Sequence, residues 1–147
     1  MQILSQREPR WAKVKIGASN LTVGRYGCTI TSMSMLTDYF GIWGSPEQIA
    51  GHNEWFTKEG LVTWKNLSLK AMKFEKRLYG RKDAEIMASV EDPDKAVILE
   101  VDHSHWVVCL GRNIFGKYKI ADPWDGKKKL ITAYGEITGS AHFIRRK

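Results

Sequence analysis

The spacing of apolar residues changes at Pro93, and this change constrains the fold more than any other feature of the chain. Before Pro93, apolar residues recur at helical spacing, as in Ile30, Met33 and Leu36. After it, short runs rich in branched and aromatic residues alternate with turn-prone residues, which is typical of antiparallel strands. Helices followed by such strands predict an α+β fold in which N-terminal helices pack on a C-terminal antiparallel sheet.

Capping residues indicate where the main helices begin and end. One helix is expected over 28–40, because Gly41 is a suitable residue to follow a helix C-terminus. A second is expected to begin at Ser45, with Pro46 at the first helical position and Gln48 completing a capping box. The segment 5–27 is expected to be a loop with short extended pieces, and the second helix is expected to end near residue 53 or 56. Two further helices are expected, one over 63–72 capped by Thr63 and one over 83–90 capped by Asp83. Strands are expected over 74–78, 96–102, 105–111, 117–122, 130–134 and 141–145.

Length and composition predict one globular domain over residues 1–147. The chain is 43% hydrophobic and 27% charged, which is ordinary for a soluble domain able to bury its own core. Its two cysteines are far apart in sequence and do not suggest a disulfide framework, so a reducing compartment is expected. No signal peptide or membrane-spanning run is visible. We therefore expect a cytoplasmic location, with virion association or non-classical export as alternatives.

The net charge of +7 permits an anionic partner such as a nucleic acid, a cell-wall polymer or a membrane surface. The positive residues are spread along the chain, with one group at each end and a third over 127–129. No nucleic-acid-binding motif accompanies them. We therefore predict a solvated basic surface and no specific nucleic-acid partner.

Cys28 stands at the start of the first long helix, after a turn that contains Gly24 and Gly27. Backbone N–H groups in the first turn of a helix lack intrahelical acceptors, and the helix dipole favours negative charge there. A thiol at this position is favoured as the nucleophilic thiolate. The plain alternative is that Cys28 is a small buried apolar residue.

A predicted hairpin supplies a possible base and an orienting group for this thiol. The turn over 113–116 places His105 opposite Asp122, or one diagonal step from it, within reach of a hydrogen bond. A carboxylate on Nδ1 would fix the tautomer and leave Nε2 free to act as a base. The alternative is that His105 begins a half-buried edge strand. With Cys28, these residues form the set that a cysteine nucleophile requires.

Several segments resemble the bacteriocin-processing-peptidase-like cysteine peptidases, papain-fold relatives of the double-glycine leader peptidases and members of family thirty-nine of the cysteine peptidases. The order of cysteine, histidine and aspartate is the papain-like one, and the similarity spans nearly the whole chain outside residues 55 to 92. The segments that carry it are Gln6–Trp11, Gly17–Gly24, Tyr26–Met35, His105–Gly111, Tyr118–Gly126 and Tyr134–Gly135.

The resemblance implies a papain-like fold and a bacterial or phage cysteine peptidase acting on a peptide or protein substrate. It implies that Cys28 is the nucleophile, that His105 is the general base and acid, and that Asp122 orients His105. Gln6 would be the oxyanion-hole donor together with the backbone N–H of Cys28; the alternative is a surface glutamine in a turn. The implied acyl transfer requires no cofactor and no metal.

Other interpretations of the same residues remain open. His103, His105 and Cys109 share strand parity and suggest a zinc site, although Cys109 is more simply a core residue. The same triad could act on a cell-wall peptide or an isopeptide amide, or the chain could be a catalytically inactive binding module. Trp64, Trp106 and Trp124 could line a substrate cleft. His52 and His142 are expected to be surface or structural residues.

Overall fold

A computed structural model describes residues 1–147 and places five short or medium helices on a six-stranded sheet. The α+β prediction is therefore confirmed. None of the helices has the length and apolar character that crossing a membrane requires. The helices are α1 (Pro9–Ala12), α2 (Val23–Tyr26), α3 (Cys28–Tyr39), α4 (Pro46–Ala50) and α5 (Asp83–Glu91), and the strands are β1 (Met72–Tyr79), β2 (Lys95–Val101), β3 (His105–Arg112), β4 (Tyr118–Asp122), β5 (Lys127–Leu130) and β6 (Ile137–Arg145).

The sheet is antiparallel throughout and has the strand order β1-β6-β2-β3-β4-β5. Strands β2 to β5 form a meander in which each strand pairs with the next along the chain. The last strand, β6, lies between β1 and β2 and joins the first strand to the meander. This order leaves β1 and β5 as the two edges of the sheet.

Helices α3 and α5 cover opposite faces of the sheet. Along β3, Trp106 and Val108 face the core that contains α3, whereas Val107 and Cys109 face the core that contains α5. This alternation follows from the two-residue period of a strand. The hydroxyl of Ser32 on α3 also donates to the Trp106 carbonyl at 3.3 Å, so α3 is fixed to the strand that begins with His105.

The predicted α3 and the capping box of α4 are confirmed. The Ser45 N–H donates to Gln48 Oε1 at 2.9 Å, and the Gln48 N–H donates to Ser45 Oγ at 3.4 Å. The helix ends earlier than predicted, at Ala50, and a single 3-10 turn follows over Asn53–Trp55. Gly51 is the C-cap residue of α4, and its N–H makes the last helical bond, to the Glu47 carbonyl at 3.2 Å.

The predicted third helix over 63–72 is wrong. The chain makes one 3-10 turn over Trp64–Asn66 and then runs irregularly into β1. Leu67, Leu69 and Ala71 are buried, whereas the residues between them are exposed. This two-residue alternation belongs to extended chain, and it overrides the weak helical propensity of the segment.

Other boundaries also differ: the strand expected over 141–145 begins at Ile137, and the strand expected over 74–78 spans Met72–Tyr79. The segment 5–27 contains two single-turn helices, α1 and α2, and Pro9 occupies the first position of α1, where its missing N–H costs nothing. Helix α5 is capped by Lys82 rather than by Asp83, whose carboxylate instead accepts from Arg81 and Tyr118. The expected strand over 130–134 is wrong, because the tight turn at Gly126 starts β5 at Lys127.

Candidate active site

Cys28 is the first residue of α3, as predicted, and it lines a cleft between the helices and the sheet. The preceding turn requires glycine because the backbone packs too closely for a side chain. A Cβ at Gly27 would lie 2.4 Å from the Val23 carbonyl oxygen, and one at Gly24 would lie 2.8 Å from the Ala12 carbonyl oxygen. These contacts set the angle at which the chain enters α3 and therefore the position of the thiol.

His105 and Asp122 lie one diagonal step apart on β3 and β4, which confirms the predicted geometry. Val108 pairs with Ala121, so the register continued by one residue sets Asp122 beside Val107. The ring of His105 reaches across this diagonal, and its Nε2 lies 2.7 Å from Asp122 Oδ1. The predicted nitrogens are reversed, because Asp122 bonds Nε2 rather than Nδ1. Nδ1 is therefore the ring nitrogen left for the Cys28 side chain, which acts to raise the pKa of His105.

Asp122 is fully buried, and both of its oxygens are occupied by donors. Oδ1 accepts from His105 and, at 3.0 Å, from the backbone N–H of Trp124. Oδ2 accepts from Lys129 Nζ at 2.8 Å and from the Tyr134 hydroxyl. Burial alone would raise the pKa of this carboxyl, but the four donors outweigh burial and hold the pKa well below its usual range. Asp122 is therefore a fixed anion rather than a proton carrier.

The charge state of His105 follows from the same contacts. Burial alone would lower the pKa of His105, but hydrogen bonds with Asp122 and Cys28, and the charges of these two groups, raise it to about 9. The imidazole is thus held as the imidazolium at neutral pH. Its side chain is 18% exposed, so part of the ring remains accessible to solvent.

Gln6 is buried between the two halves of the site. Its backbone N–H donates to the Pro123 carbonyl at 2.6 Å, directly after Asp122. Its side-chain Nε2 donates to the Gly24 carbonyl at 3.3 Å, in the turn that leads to Cys28. The side chain is only 1% exposed, and its Oε1 has no protein partner. The alternative of a surface glutamine is therefore excluded, and the Nε2 amide donates only one of its two N–H groups to the protein.

The segment that carries Gln6 is anchored on both sides. The buried Trp11 donates through Nε1 to the Ser5 carbonyl at 2.8 Å. On the other side, Arg7 donates to the Trp124 carbonyl at 2.8 Å and stacks over the Trp124 ring at 4.4 Å. The intervening chain thus folds back, and the 22-residue separation between Gln6 and Cys28 is no obstacle to their sharing a site.

The cleft beside Cys28 has a volume of about 400 Å³ and mainly apolar walls. Trp64 and Trp106 line it, as predicted, whereas Trp124 does not. One wall is held by Arg77, which pairs with Glu100 at 3.3 Å and stacks on the rings of Tyr79 at 4.2 Å and Trp106 at 4.9 Å. The cleft is also lined by Ile16, Leu21, Tyr26, Thr29, Ile30, Phe56, Gly60, Leu61, Val62, His103 and Ser104.

Comparisons of the chain with protein-family models, with curated proteins and with solved structures found no match. The geometry of the site is therefore the basis for its proposed function.

The zinc interpretation is not supported by the arrangement of its residues. His103 lies in a turn with a positive φ of 57°, His105 is bonded to Asp122, and Cys109 is a core residue. No three potential metal-binding side chains of these types come together anywhere in the chain. Burial raises the pKa of the Cys109 thiol to about 11, which agrees with a structural role.

The two histidines outside the site are a surface residue and a structural residue, as predicted. His52 is exposed, bonds Glu54 at 3.0 Å and stacks on Trp55 with ring centroids 3.8 Å apart. His142 is buried under α5, where Nδ1 bonds Ser89 at 2.7 Å and Nε2 bonds Ser140 at 2.8 Å.

Sequence reasoning missed Lys129 and Tyr134, the two residues that hold Asp122 Oδ2. The lysines over 127–129 are typical of a solvated turn, and only the register of β5 shows that Lys129 reaches back to Asp122. The Asp125-Gly126 pair is a signal for a tight turn and could have indicated that a strand begins at Lys127. The reach of Tyr134 depends on the 3-10 turn over Ile131–Ala133, for which the sequence carries no clear signal.

Proposed function

We propose that the protein is a papain-like cysteine peptidase that hydrolyses a peptide or amide bond through Cys28, His105 and Asp122. The observation that carries the proposal is the 2.7 Å bond between His105 Nε2 and the buried Asp122, on a histidine whose pKa is also raised by Cys28 at the N-terminus of α3. A nucleophile, a base and an orienting carboxylate in this relation are what thiol acyl transfer needs. A module that only binds has no need of all three.

The reaction begins with attack of the Cys28 thiolate on the substrate carbonyl carbon. The negative charge that develops on the carbonyl oxygen is stabilised by the backbone N–H of Cys28 and the free amide N–H of Gln6, together with the dipole of α3. The His105 imidazolium then donates its Nδ1 proton to the leaving amine, and the C–N bond breaks to leave a thioester. His105, now neutral, takes a proton from water while the hydroxide attacks the thioester carbon. The C–S bond then breaks, which releases the carboxylic acid and restores the Cys28 thiolate beside the His105 imidazolium.

The fixed charge of Asp122 supports this sequence in two ways. It stabilises the imidazolium that pairs with the thiolate, and it prevents rotation of the ring by holding Nε2. Because Lys129 and Tyr134 occupy its second oxygen, Asp122 does not take the proton from His105. The apolar walls of the cleft exclude water from a bound chain and favour a substrate with large apolar side chains beside the scissile bond.

Alkylation by iodoacetamide at about pH 6 tests the thiolate directly. Cys28 and Cys109 are each 9% exposed, so Cys109 is a control matched for access. We expect rapid modification of Cys28 and slow modification of Cys109, measured by peptide mass mapping over time. His105→Ala should remove the difference by leaving the thiol without its ion-pair partner. Equally slow modification of both cysteines in the native protein would contradict the proposal.

Hydrolysis of a fluorogenic peptide library tests catalysis separately from thiol reactivity. We expect cleavage that disappears in Cys28→Ser and persists in Cys109→Ser, with the products identified by mass spectrometry. If Cys28 is alkylated rapidly but no library member, cell-wall peptide or isopeptide conjugate is cleaved, the chain is a binding module and the peptidase proposal fails.

A further inference from the structure

The turn between β3 and β4 exposes two large apolar side chains that no other part of the molecule covers. Ile114 is 93% exposed and Phe115 is 79% exposed, the highest values among the large hydrophobic residues of the chain. Tyr26, Leu61 and Tyr79 are also exposed, but they line the cleft beside Cys28 and are explained by it. The exposure of Ile114 and Phe115 is not explained by the cleft, because neither residue lines it.

Residues other than Ile114 and Phe115 stabilise the turn, and these two side chains protrude from it. Asn113 Oδ1 accepts from the backbone N–H groups of Phe115 and Lys117, each at 3.0 Å. The Asn113 N–H donates to the Lys117 carbonyl at 2.8 Å, and Gly116 takes the positive φ of 76° that closes the turn. The backbone is thus held by Asn113 and Gly116. An isoleucine and a phenylalanine at its tip contribute no packing to the fold.

The chain around the tip carries positive charge and no negative charge. From His103 to Ala121 there is no acidic residue, and the hairpin contributes Arg112, Lys117 and Lys119. Arg112 is partly neutralised by Asp83 at 3.5 Å, whereas Lys117 and Lys119 are exposed and pair with no carboxylate. The lysines of the neighbouring edge strand β5 lie away from the tip, because Lys127 pairs with Asp122 and Lys128 with Ala121 at the other end of β4.

We infer that the β3–β4 hairpin tip is a membrane-surface contact, in which Ile114 and Phe115 insert into the interface of an anionic lipid bilayer. Apolar side chains that protrude singly from a rigid turn suit a bilayer interface, and flanking lysines are attracted to anionic headgroups. A protein partner would be recognised by a broader buried patch, whereas here the apolar surface is confined to two adjacent residues.

This contact would leave the candidate active site free. β3 runs from His105 to Arg112, and at about 3.3 Å per residue the tip lies roughly 25 Å from the triad, at the other end of the strand. A molecule bound through the tip holds its cleft away from the bilayer and open to the aqueous phase. The inference does not depend on the proposed function, because the tip contains no residue of the site.

Co-sedimentation with lipid vesicles tests the inference. We expect the full-length protein to bind vesicles containing roughly one-third phosphatidylglycerol and to bind pure phosphatidylcholine vesicles at least about tenfold more weakly. Binding should fall when the salt concentration is raised to about 0.5 M, because salt screens the lysine–headgroup attraction. The double substitution Ile114→Ser with Phe115→Ser should lower the partition coefficient at least about tenfold.

Two matched controls test whether vesicle binding depends on where a side chain lies or only on which type of side chain is removed. Ile42→Ser makes the same change at another exposed isoleucine and should leave binding unchanged, whereas Ile114→Ser alone should weaken it. Lys117→Gln with Lys119→Gln should weaken binding more than Lys13→Gln with Lys15→Gln, which changes the net charge equally at exposed positions elsewhere. Circular dichroism and the alkylation rate of Cys28 should be unchanged in all of these variants. Failure of the native protein to bind anionic vesicles, or equal binding by the Ile114 and Phe115 double variant, would overturn the inference.

Discussion

At the scale of single residues, the site is organised around one buried carboxylate. Asp122 has four hydrogen-bond donors, and three of them, from Trp124, Lys129 and Tyr134, come from chain that follows it. The charge of Asp122 is thus fixed by its neighbours before any substrate arrives. The properties of His105 follow from this, because its partner does not titrate at ordinary pH.

Replacing Asp122 with asparagine should lower the turnover of a cleaved peptide by on the order of 10³-fold, because the His105 ring loses the charge that orients it. The pKa of His105 should fall toward or below its ordinary value, since burial then dominates. The alkaline limb of the alkylation profile, near pH 9 in the native protein, should therefore move to lower pH. Tyr134→Phe keeps the charge and should shift the limb much less. An unchanged limb in Asp122→Asn would refute this account of His105.

Gln6→Ala should lower the turnover of a cleaved peptide by about 10² to 10³-fold, because the oxyanion loses one donor. The alkylation rate of Cys28 should stay nearly constant, since alkylation forms no oxyanion. Gln2→Ala is the control, because Gln2 is exposed and makes only a backbone contact with Asp38. A parallel loss of turnover and alkylation in Gln6→Ala would mean that Gln6 only holds the fold.

His142 should make the protein less stable in mild acid. Burial, followed by the charge of Lys76, lowers its pKa to about 4, whereas an unfolded histidine has a pKa near 6.5. The unfolded chain therefore binds more protons between these values. The free energy of unfolding should be fully retained above about pH 6.5 and fall by up to roughly 2–3 kcal/mol as the pH drops through this window. Urea titrations between pH 7.5 and 4.5 measure this slope.

The matched control for this pH dependence is the exposed His52. His52→Asn should keep the slope of the native protein, whereas His142→Asn should flatten it. A native slope in His142→Asn would assign the acid sensitivity to other groups.

At the scale of elements, the turn before α3 determines where the thiol lies. Gly27→Ala would set a Cβ 2.4 Å from the Val23 carbonyl oxygen, which the backbone can relieve only by moving the start of α3. We expect a loss of about 1–3 kcal/mol in the free energy of unfolding and a slower alkylation of Cys28. Gly51→Ala is the matched control, because its Cβ would meet backbone atoms only at 3.4 Å or more. Equal effects of the two substitutions would show that close packing at Gly27 is unimportant.

The elements also show which parts of the structure can be predicted from the sequence. Helix α3 and the β3–β4 hairpin were predictable because each has a strong local period and a clear turn or end signal. The segment after Thr63 was not, because its leucines fit both a helix and an alternating extended chain, and packing on the core decided between them. The nitrogen of His105 that bonds Asp122 depends on the path of β3 relative to α3, which is a tertiary property.

At the scale of the whole molecule, the sheet separates two hydrophobic cores that differ in their relation to the candidate site. The core on the α3 side is continuous with the cleft and the thiol, whereas the core on the α5 side contains no residue of the proposed triad. Met33→Ala and Ile86→Ala remove fully buried side chains from the two cores, and each should cost about 2–5 kcal/mol in the free energy of unfolding.

Only Met33→Ala should alter the alkylation rate of Cys28 under conditions where both variants remain folded. The measurement is alkylation at low temperature, with circular dichroism to verify folding. A comparable change of rate in Ile86→Ala would mean that the sheet couples the two cores.

The two borders of the sheet have a consequence for the behaviour of the protein at high concentration. β5 contains three successive lysines, Lys127 to Lys129, and β1 carries charges of both signs and a bulge between Phe74 and Lys76. Unpaired strand edges invite strands from other molecules, and charge and irregularity oppose that addition. The two edge strands therefore disfavour pairing with strands of other molecules. The protein should resist fibril growth and edge-to-edge aggregation even when its concentration is high.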